Sequence, residues 1–259
     1  MHMSFSARMN VNSNRAYEYI RTRILKGDFV PGHPLMTVAL ASKIKVSRSP
    51  VQEALRRLQV DGLVTVEPRQ GASVRKIDIK GFQDLCEFRL AIESHAAGLA
   101  ALRRSAVDLG EIQFALESMR TIADGLIASG DDDPPIDEQS RADVQFHHAI
   151  ITASHNELIK QEILRLQLIN RVVSHASTTT RNRPAVISSR AERIALNRQT
   201  MKSHAAIFDA ITRKDSAKAK AAMEDHLQEL IERKISALVR AESGLTADKM
   251  PNGELIYRE

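Results

Sequence analysis

One carboxylate and three imidazoles of this 259-residue chain suggest a site for a divalent metal: Asp143, His147, His204 and His226. Asp143 and His147 are four residues apart, which places both on one face of a helix. His204 and His226 lie in two further apolar stretches of helical character. One carboxylate and three imidazoles suit zinc or another borderline divalent ion, with positions left for water or a ligand. Spacing alone leaves a second interpretation open, in which these are hydrogen-bonded histidines of the core or surface.

A second set of residues has the pattern of a DNA-reading helix over residues 46–63. Four apolar residues recur there at helical spacing and predict a buried stripe: Val51, Ala54, Leu55 and Leu58. Polar residues fall on the opposite side: Arg48, Gln52, Glu53 and Arg56. Ser47 or Ser49 can cap the first turn, and Asp61-Gly62 is typical of a helix end. By itself the pattern also fits a capped amphipathic helix with a solvated charged face.

The flanking segments favour the DNA-reading interpretation. A short helix is predicted over 35–46, and two short β runs over 63–66 and 72–74 follow the central helix. The residues between the two runs, 67–71, have hairpin composition. Helix, turn, helix and hairpin make a winged helix-turn-helix, and Arg69 and Gln70 at the hairpin tip suit a phosphate or a groove edge.

Charge is distributed unevenly along the chain. Residues 1–80 contain 14 Lys and Arg against 6 Asp and Glu, whereas residues 81–259 contain 23 against 26. The positive charge is therefore concentrated on the segment predicted to read DNA, as phosphate binding requires. A single cysteine, Cys86, fits a buried position and a reducing compartment, and no apolar run is long enough to span a membrane. We therefore predict a cytoplasmic protein without membrane partners.

Helical periodicity is nearly unbroken from Phe82 onward. The predicted helices cover 80–104, 108–128, 137–154, 156–179, 186–213 and 215–242, with breaks near 105, 129–135, 155–156, 178–184 and 214–215. The predicted fold is mainly α, a winged helix-turn-helix followed by an all-α bundle of six or seven helices. The predicted parts are a flexible arm (1–13), a DNA-binding domain (14–77), an effector-binding and dimerisation domain (78–243) and a tail (244–259).

Four blocks in the first 80 residues resemble GntR-type bacterial transcription regulators. They read Tyr-x-x-Ile-Arg-x-x-Ile-Leu-x-Gly-x-x-x-Pro-Gly, Val-Ser-Arg-Ser-Pro-Val-x-Glu-Ala-Leu-x-x-Leu, Asp-Gly-Leu-Val and Gly-Ala-x-Val. The resemblance covers about residues 14–76 and implies an operator-binding surface. Its expected members are Arg48, Ser49, Gln52, Arg56, Arg69, Gln70 and Gly71. Gln52 stands where the family usually has Arg, and Val38 where some members have another Arg, so no family operator sequence is carried over.

The second half resembles the all-helical FCD effector domain of the FadR subfamily. The motifs are Asp-x-x-Phe-His-x-x-Ile-x-x-Ala-Ser-x-Asn (143–156), His-x-x-Ile-x-x-Ala-Ile (204–211) and Met-x-x-His-Leu (223–227). The resemblance implies a divalent metal, zinc first and nickel or manganese as alternatives, bound by Asp143, His147, His204 and His226. Arg89 resembles an Arg that pairs with carboxylate effectors, and Arg171 is a second candidate. A surface salt bridge between Arg89 and Glu93 is the alternative for Arg89.

Together these observations predict a homodimeric transcription regulator, a repressor, that binds double-stranded operator DNA and is not an enzyme. A small carboxylate effector at the metal site would control operator affinity. Two alternatives stay open: a metal sensor without an organic effector, and a metal-dependent hydrolase fused to a DNA-binding domain. Against the hydrolase, the sequence places no acidic residue beside the metal ligands as a general base and contains no Gly-x-Ser-x-Gly motif.

Overall fold

The computed structural model describes residues 5–129, 136–179 and 190–243. Within those ranges the chain forms helices and one antiparallel pair of strands, which confirms the predicted mainly α fold. The elements are α1 (Phe5–Leu25), α2 (Thr37–Ile44), α3 (Arg48–Val60), β1 (Val64–Glu67), β2 (Gly71–Val74), α4 (Ile79–Arg103), α5 (Ala106–Ser129), α6 (Ile136–Ala153), α7 (Glu157–Thr179), α8 (Arg190–Thr212) and α9 (Ser216–Ser243).

The chain divides into two compact units, one of residues 1–82 with 161–183 and the other of 83–160 with 184–259. The first unit contains the predicted winged helix-turn-helix. Its core is built from apolar residues of α1–α3 and both strands, among them Ile20, Ile24, Leu35, Leu40, Ile44, Val51, Leu55, Leu58, Leu63 and Val74. The Tyr17 hydroxyl of α1 donates to Asp61 Oδ2 at 2.6 Å, at the end of α3. This bond and the shared core fix α3 on α1.

The wing has the predicted hairpin form. β1 pairs with β2 in a register that sets Val64 opposite Val74 and Glu67 opposite Gly71. The tip turns through two residues with left-handed backbone, Arg69 at φ 68° and Gly71 at φ 85°. Glycine adopts this conformation without steric cost. Arg69 and Gln70 are exposed at the tip.

Two local predictions for the first unit need correction. The segment predicted as a flexible arm, residues 1–13, is helical from Phe5 onward, because α1 begins there. Ser47 occupies the N-cap position of α3, but neither it nor another side chain makes the capping hydrogen bond. Ser49 lies inside the first turn of α3. Gly62, with φ 77°, follows the helix as predicted.

The second unit contains most of the predicted bundle, and the helix ends agree closely with the predicted ones. Its core combines small residues of α4 with larger apolar residues of α5, α6, α8 and α9, including Ala97, Ala100, Ile112, Leu116, Phe146, Ile150, Ile207, Ile211, Met223 and Leu227. The Arg104 guanidinium donates to the Ile211 and Thr212 carbonyls at 3.1 and 2.6 Å, and ties the end of α4 to the end of α8.

The second part of α7 groups with the first unit, a division that the sequence did not predict. Ile169 is buried, and a Cβ atom added at Gly62 would lie 2.7 Å from its Cδ1 atom, so the two residues pack directly together. The predicted boundary near residue 77 therefore stays a prediction. The breaks predicted at 130–135 and 180–184 and the tail after residue 243 lie outside the described residues. No helix in the described ranges is both long and apolar enough to cross a membrane.

Candidate metal centre and nucleic-acid interface

The four predicted metal ligands meet in the second unit. Asp143 and His147 project from α6, His204 from α8 and His226 from α9. One ligand atom of each lies within 4.8 Å of every other. The three histidines are buried, whereas a third of the Asp143 side chain is exposed. The cluster therefore sits inside the helical packing and opens toward solvent at the carboxylate.

The distances fit a single ion. His147 Nε2 lies 3.3 Å from His226 Nε2, and Asp143 Oδ1 lies 3.3 Å from His204 Nε2. Ligand bonds of about 2.0–2.2 Å to one ion separate neighbouring ligand atoms by roughly this amount. His204 is fully buried, and neither of its ring nitrogens makes a hydrogen bond of normal geometry, although Asp143 Oδ1 forms an ion-pair contact with Nε2. Because buried polar atoms are almost always hydrogen-bonded, this imidazole is the strongest sign that the residues are arranged for an ion.

The electrostatics favour the protonation states that a metal requires at Asp143, His204 and His226 but not at His147, where burial lowers the pKa but the Glu93 hydrogen bond and the Asp143 charge raise it above its usual range. Burial lowers the pKa of His226 to about 3, helped by the neighbouring His147 and His204. Burial likewise lowers the pKa of His204. Burial alone would raise the pKa of Asp143, but contact with His204 and the fields of all three histidines hold it well below its usual range. At neutral pH the carboxylate is therefore ionised and these two imidazoles carry free lone pairs.

Glu93 on α4 contacts the cluster, which the sequence did not predict. Its side chain is fully buried, with Arg89 Nε donating to Oε1 at 2.8 Å and His147 Nδ1 lying 2.9 Å from Oε2. Burial would raise the pKa of Glu93, but the Arg89 charge and the His147 hydrogen bond lower it to about 2. A proton held on His147 Nδ1 by Glu93 leaves Nε2 facing the other ligands, the arrangement common to metal-binding histidines.

The expected surface salt bridge between Arg89 and Glu93 forms, but it is buried: Arg89 is 12% exposed and Glu93 0%. Glu93 also contacts His147, so an acidic residue does lie beside the predicted ligands, contrary to the expectation from the sequence. Helical spacing could find the Arg89–Glu93 pair, four residues apart on one helix. It could not find the contact between α4 and α6, which depends on tertiary packing.

Three further residues of the second unit, His155, His148 and Cys86, lie outside the cluster. His155, with φ 48° at the end of α6, contacts Asp108 Oδ2 at 2.9 Å through Nε2. His148 is half-buried and makes no contact with the cluster, and Cys86 is buried as predicted. Arg171 belongs to α7, but its side chain, like that of His175, lies outside the described part of the structure.

The candidate nucleic-acid interface is the outer side of α3 with the wing tip. Its seven predicted residues are all exposed: Arg48, Ser49, Gln52, Arg56, Arg69, Gln70 and Gly71. The four predicted inward residues of α3 are all buried. Arg56 has one weak local partner, Glu53, at 3.6 Å on the same exposed face. The helix thus presents a polar face beside a projecting wing, the form of a major-groove reader.

Comparison with known proteins identifies the family of both halves of the chain. The profile of the family "Bacterial regulatory proteins, gntR family" matches residues 12–74, and that of the FCD domain matches residues 84–229. The HTH-type transcriptional regulator LutR of Bacillus subtilis is 32% identical over 79% of this chain and 92% of its own length. The galactonate operon transcriptional repressor of Escherichia coli is 26% identical over 77% of this chain and 86% of its own.

Solved structures share the fold. The E. coli protein McbR/YncC matches 89% of this chain and 98% of its own with a TM-score of 0.59 at 22% identity. A GntR-type transcriptional regulator from Rhodococcus sp. RHA1 matches 88% of this chain and 98% of its own with the same TM-score and identity.

Proposed function

Because this chain belongs to the GntR family of bacterial regulators and carries an FCD domain, we propose that a metal ion and a small organic acid control its affinity for operator DNA. The chain is a DNA-binding transcription regulator and not an enzyme. Membership of this family removes the hydrolase alternative. The single observation that supports metal control is the buried four-residue cluster, in which His204 makes no hydrogen bond of normal geometry.

The proposed roles follow from the site. Asp143, His147, His204 and His226 hold a divalent ion, with zinc first and nickel or manganese as alternatives. Such an ion offers a Lewis-acidic position to a carboxylate oxygen of the effector. Glu93 orients His147 through its contact with Nδ1. Arg89 binds the effector only if the effector replaces Glu93 as hydrogen-bond acceptor or accepts a second hydrogen bond from the guanidinium group. The second predicted effector residue, Arg171, belongs to the part of α7 that groups with the first unit, and its effector role stays a prediction.

The DNA-reading part of the proposal rests on exposed residues of α3 and the wing. Arg48, Gln52 and Arg56 would face base edges, whereas Ser49 and the wing residues Arg69, Gln70 and Gly71 would contact the backbone or a groove edge. We propose that the regulator acts as a homodimer on a palindromic operator in the cytoplasm. Two relatives from E. coli are named as repressors, which supports repression.

Metal analysis of the purified full chain tests the metal centre. The parent protein should hold about one equivalent of zinc, nickel or manganese, and His204→Ala should hold none. Glu93→Gln should keep the ion but bind it about 10–100-fold more weakly, because it disturbs the orientation of His147. His148→Ala is the matched control, since His148 lies beside His147 in sequence but makes no contact with the cluster.

Two results would overturn the proposal. A parent protein that stays metal-free after incubation with all three ions would make the four residues ordinary core polar groups. A switch in operator binding driven by metal alone, with no response to any organic acid, would instead establish the metal-sensor alternative.

A further inference from the structure

Two cations on the last helix have no role in the function proposed above. Arg233 lies seven residues after His226, so the two residues share one face of α9, two turns apart. The Arg233 Nη1 atom is buried and has no hydrogen-bond partner. The closest carboxylate oxygen, Glu229 Oε1, lies 3.8 Å away, beyond hydrogen-bond distance. This guanidinium group thus has a buried donor without an acceptor.

Lys234 is the second cation. It is half-buried and lies within the electrostatic reach of Arg89, Cys86, Asp143 and Arg233. No carboxylate in the described ranges forms an ion pair with it. Burial lowers the pKa of Lys234, the Arg89 charge lowers it further, and Asp143 offsets only part of this. Burial raises the pKa of the Cys86 thiol, so at neutral pH Cys86 supplies no counter-charge.

The charge balance of this region calls for an anion. Glu93 neutralises Arg89, which it contacts at 2.8 Å, and Asp143 belongs to the metal cluster. Arg233 has only the long pair with Glu229, and Lys234 has no ion pair among the described residues, so both leave positive charge on α9, the helix that carries His226. Partly buried charges that are weakly paired are costly, and a ligand of opposite charge would relieve this cost.

We propose that Arg233 and Lys234 bind a second anionic group of the effector, so that the effector is a small acid with two anionic groups. This inference rests on the proposed function: one carboxylate of the effector meets the metal, and the second group, a carboxylate or a phosphate, meets α9. Arginine forms paired charge-assisted hydrogen bonds with either group, and lysine serves either as a point charge.

The first test needs no knowledge of the effector. Lys234→Met removes the charge and keeps most of the apolar stem. The zinc-loaded full chain without added acid should therefore melt about 2–4 °C higher than the parent. Lys218→Met on the same helix is the control, because its side chain is 80% exposed, and it should leave the midpoint unchanged. A lower midpoint for Lys234→Met would overturn the inference, since it would show that the lysine is satisfied within the fold.

The second test is a calorimetric titration of the zinc-loaded full chain. The probes are the straight-chain diacids from malonate to adipate, each against the monoacid of the same length, and phosphoglycolate against glycolate. At least one dianion should bind about tenfold or more tightly than its matched monoanion. Lys234→Met and Arg233→Met should each remove that preference, and Lys218→Met should keep it.

The outcomes separate this inference from the function on which it rests. If monoanions bind and every dianion binds within about threefold of its match, the second anchor is refuted while metal-dependent effector binding stands. If no acid of either series binds the zinc-loaded protein, both the second anchor and the organic effector are refuted. A preference for phosphoglycolate alone identifies the second group as a phosphate.

Discussion

The carboxylate of Glu93 accepts bonds from both sides at once, from Arg89 on its own helix and from His147 on α6. Removing one member of a buried, hydrogen-bonded charge cluster typically costs about 3–5 kcal/mol, because the remaining charge is left without a partner. Arg89 is therefore not a free cation waiting for an effector. Its family role as an effector-binding residue requires an anion that competes with Glu93 or shares the guanidinium with it.

Arg48 is the residue at which DNA specificity can be tested most directly. It is exposed in the first turn of α3, and its side chain has no ion pair within the described residues. Arg48→Ala should weaken operator binding by about 1–3 kcal/mol and relax specificity at one base pair. Arg56→Ala, which removes a side chain already engaged by Glu53 at 3.6 Å, should cost less. The measurement is a titration of operator and random DNA at one fixed salt concentration.

For this experiment, Arg213→Ala serves as the control, since Arg213 is an exposed residue of the second unit paired with Asp209. If Arg48→Ala binds operator and random DNA as the parent does, α3 is not the helix that reads the bases.

At the residue scale the sequence predicted the metal ligands but not their surroundings. Helical spacing links Asp143 and His147, residue type adds His204 and His226, and the resemblance to the FCD domain favours this set of four over the alternative of ordinary core histidines. Glu93 was considered only as a partner of Arg89, because its contact with His147 joins residues 54 positions apart. The sequence did not predict a role for Arg233 and Lys234, because a basic pair in the second half of a helix is common in proteins. Only packing shows that such groups are weakly paired.

At the element scale, α5 begins with a reciprocal cap that links it to the end of α6. Ser105 N and Asp108 Oδ2 are 2.7 Å apart, Asp108 N and Ser105 Oγ 3.1 Å, and His155 Nε2 lies 2.9 Å from the same Asp108 oxygen. Asp108→Ala should lower the free energy of unfolding by about 1 kcal/mol at neutral pH, the usual value of a helix cap. Urea denaturation of the full chain measures the difference.

The pH dependence of this difference has a definite sign. Hydrogen bonds from Ser105 lower the pKa of Asp108 in the folded state. The stabilisation is therefore complete above the ordinary aspartate pKa of about 3.9 and is lost as pH falls through the lower folded value. The difference between parent and Asp108→Ala should shrink near pH 3. Asp209→Ala, which removes an exposed carboxylate, is the control. A difference that stays constant down to that pH would contradict the capping role.

Apolar periodicity predicted the positions of the helices. It predicted the start of α1 less well. The six bundle helices agree with their predicted ranges because their apolar stripes are long. The sequence predicts an arm over residues 1–13 because the apolar residues Phe5, Ala7, Met9 and Val11 alternate with polar ones and form no stripe at helical spacing, yet α1 begins at Phe5. The grouping of residues 161–183 with the first unit depends on tertiary packing such as that of Ile169 on Gly62. No local pattern could predict it.

At the scale of the whole molecule, the charge asymmetry separates two binding tasks. Residues 1–80 carry the excess of positive charge, and residues 81–259 are slightly acidic overall. Operator affinity should thus depend on salt through the first segment, because cations released from phosphates drive that binding. The proposed acid site lies in the second unit, where Asp143, Glu93 and the histidines set the local charge. If the acid controls operator binding, the affinity for each of the two ligands depends on the other, and this dependence is measured as a coupling free energy.

The last prediction concerns this coupling. If an acid bound at the metal centre lowers operator affinity by some factor, the operator must lower the affinity for that acid by the same factor, because the two binding reactions form one thermodynamic cycle. We expect a factor of about 5–150 for the acid that binds most tightly in the titration series. The two legs are measured separately on the zinc-loaded full chain: operator affinity with and without saturating acid, and acid affinity with and without operator.

His226→Ala provides the variant arm of this experiment. It removes one of the four metal ligands, so the factor should fall to about one, while operator binding without acid changes little because α3 and the wing belong to the other unit. Arg213→Ala removes an exposed residue that pairs with Asp209 and belongs to neither proposed site, so it should keep the coupling factor of the parent. Unequal factors on the two legs would show that the acid acts at more than one site. A factor that survives in His226→Ala would mean that the effector response does not pass through the metal centre.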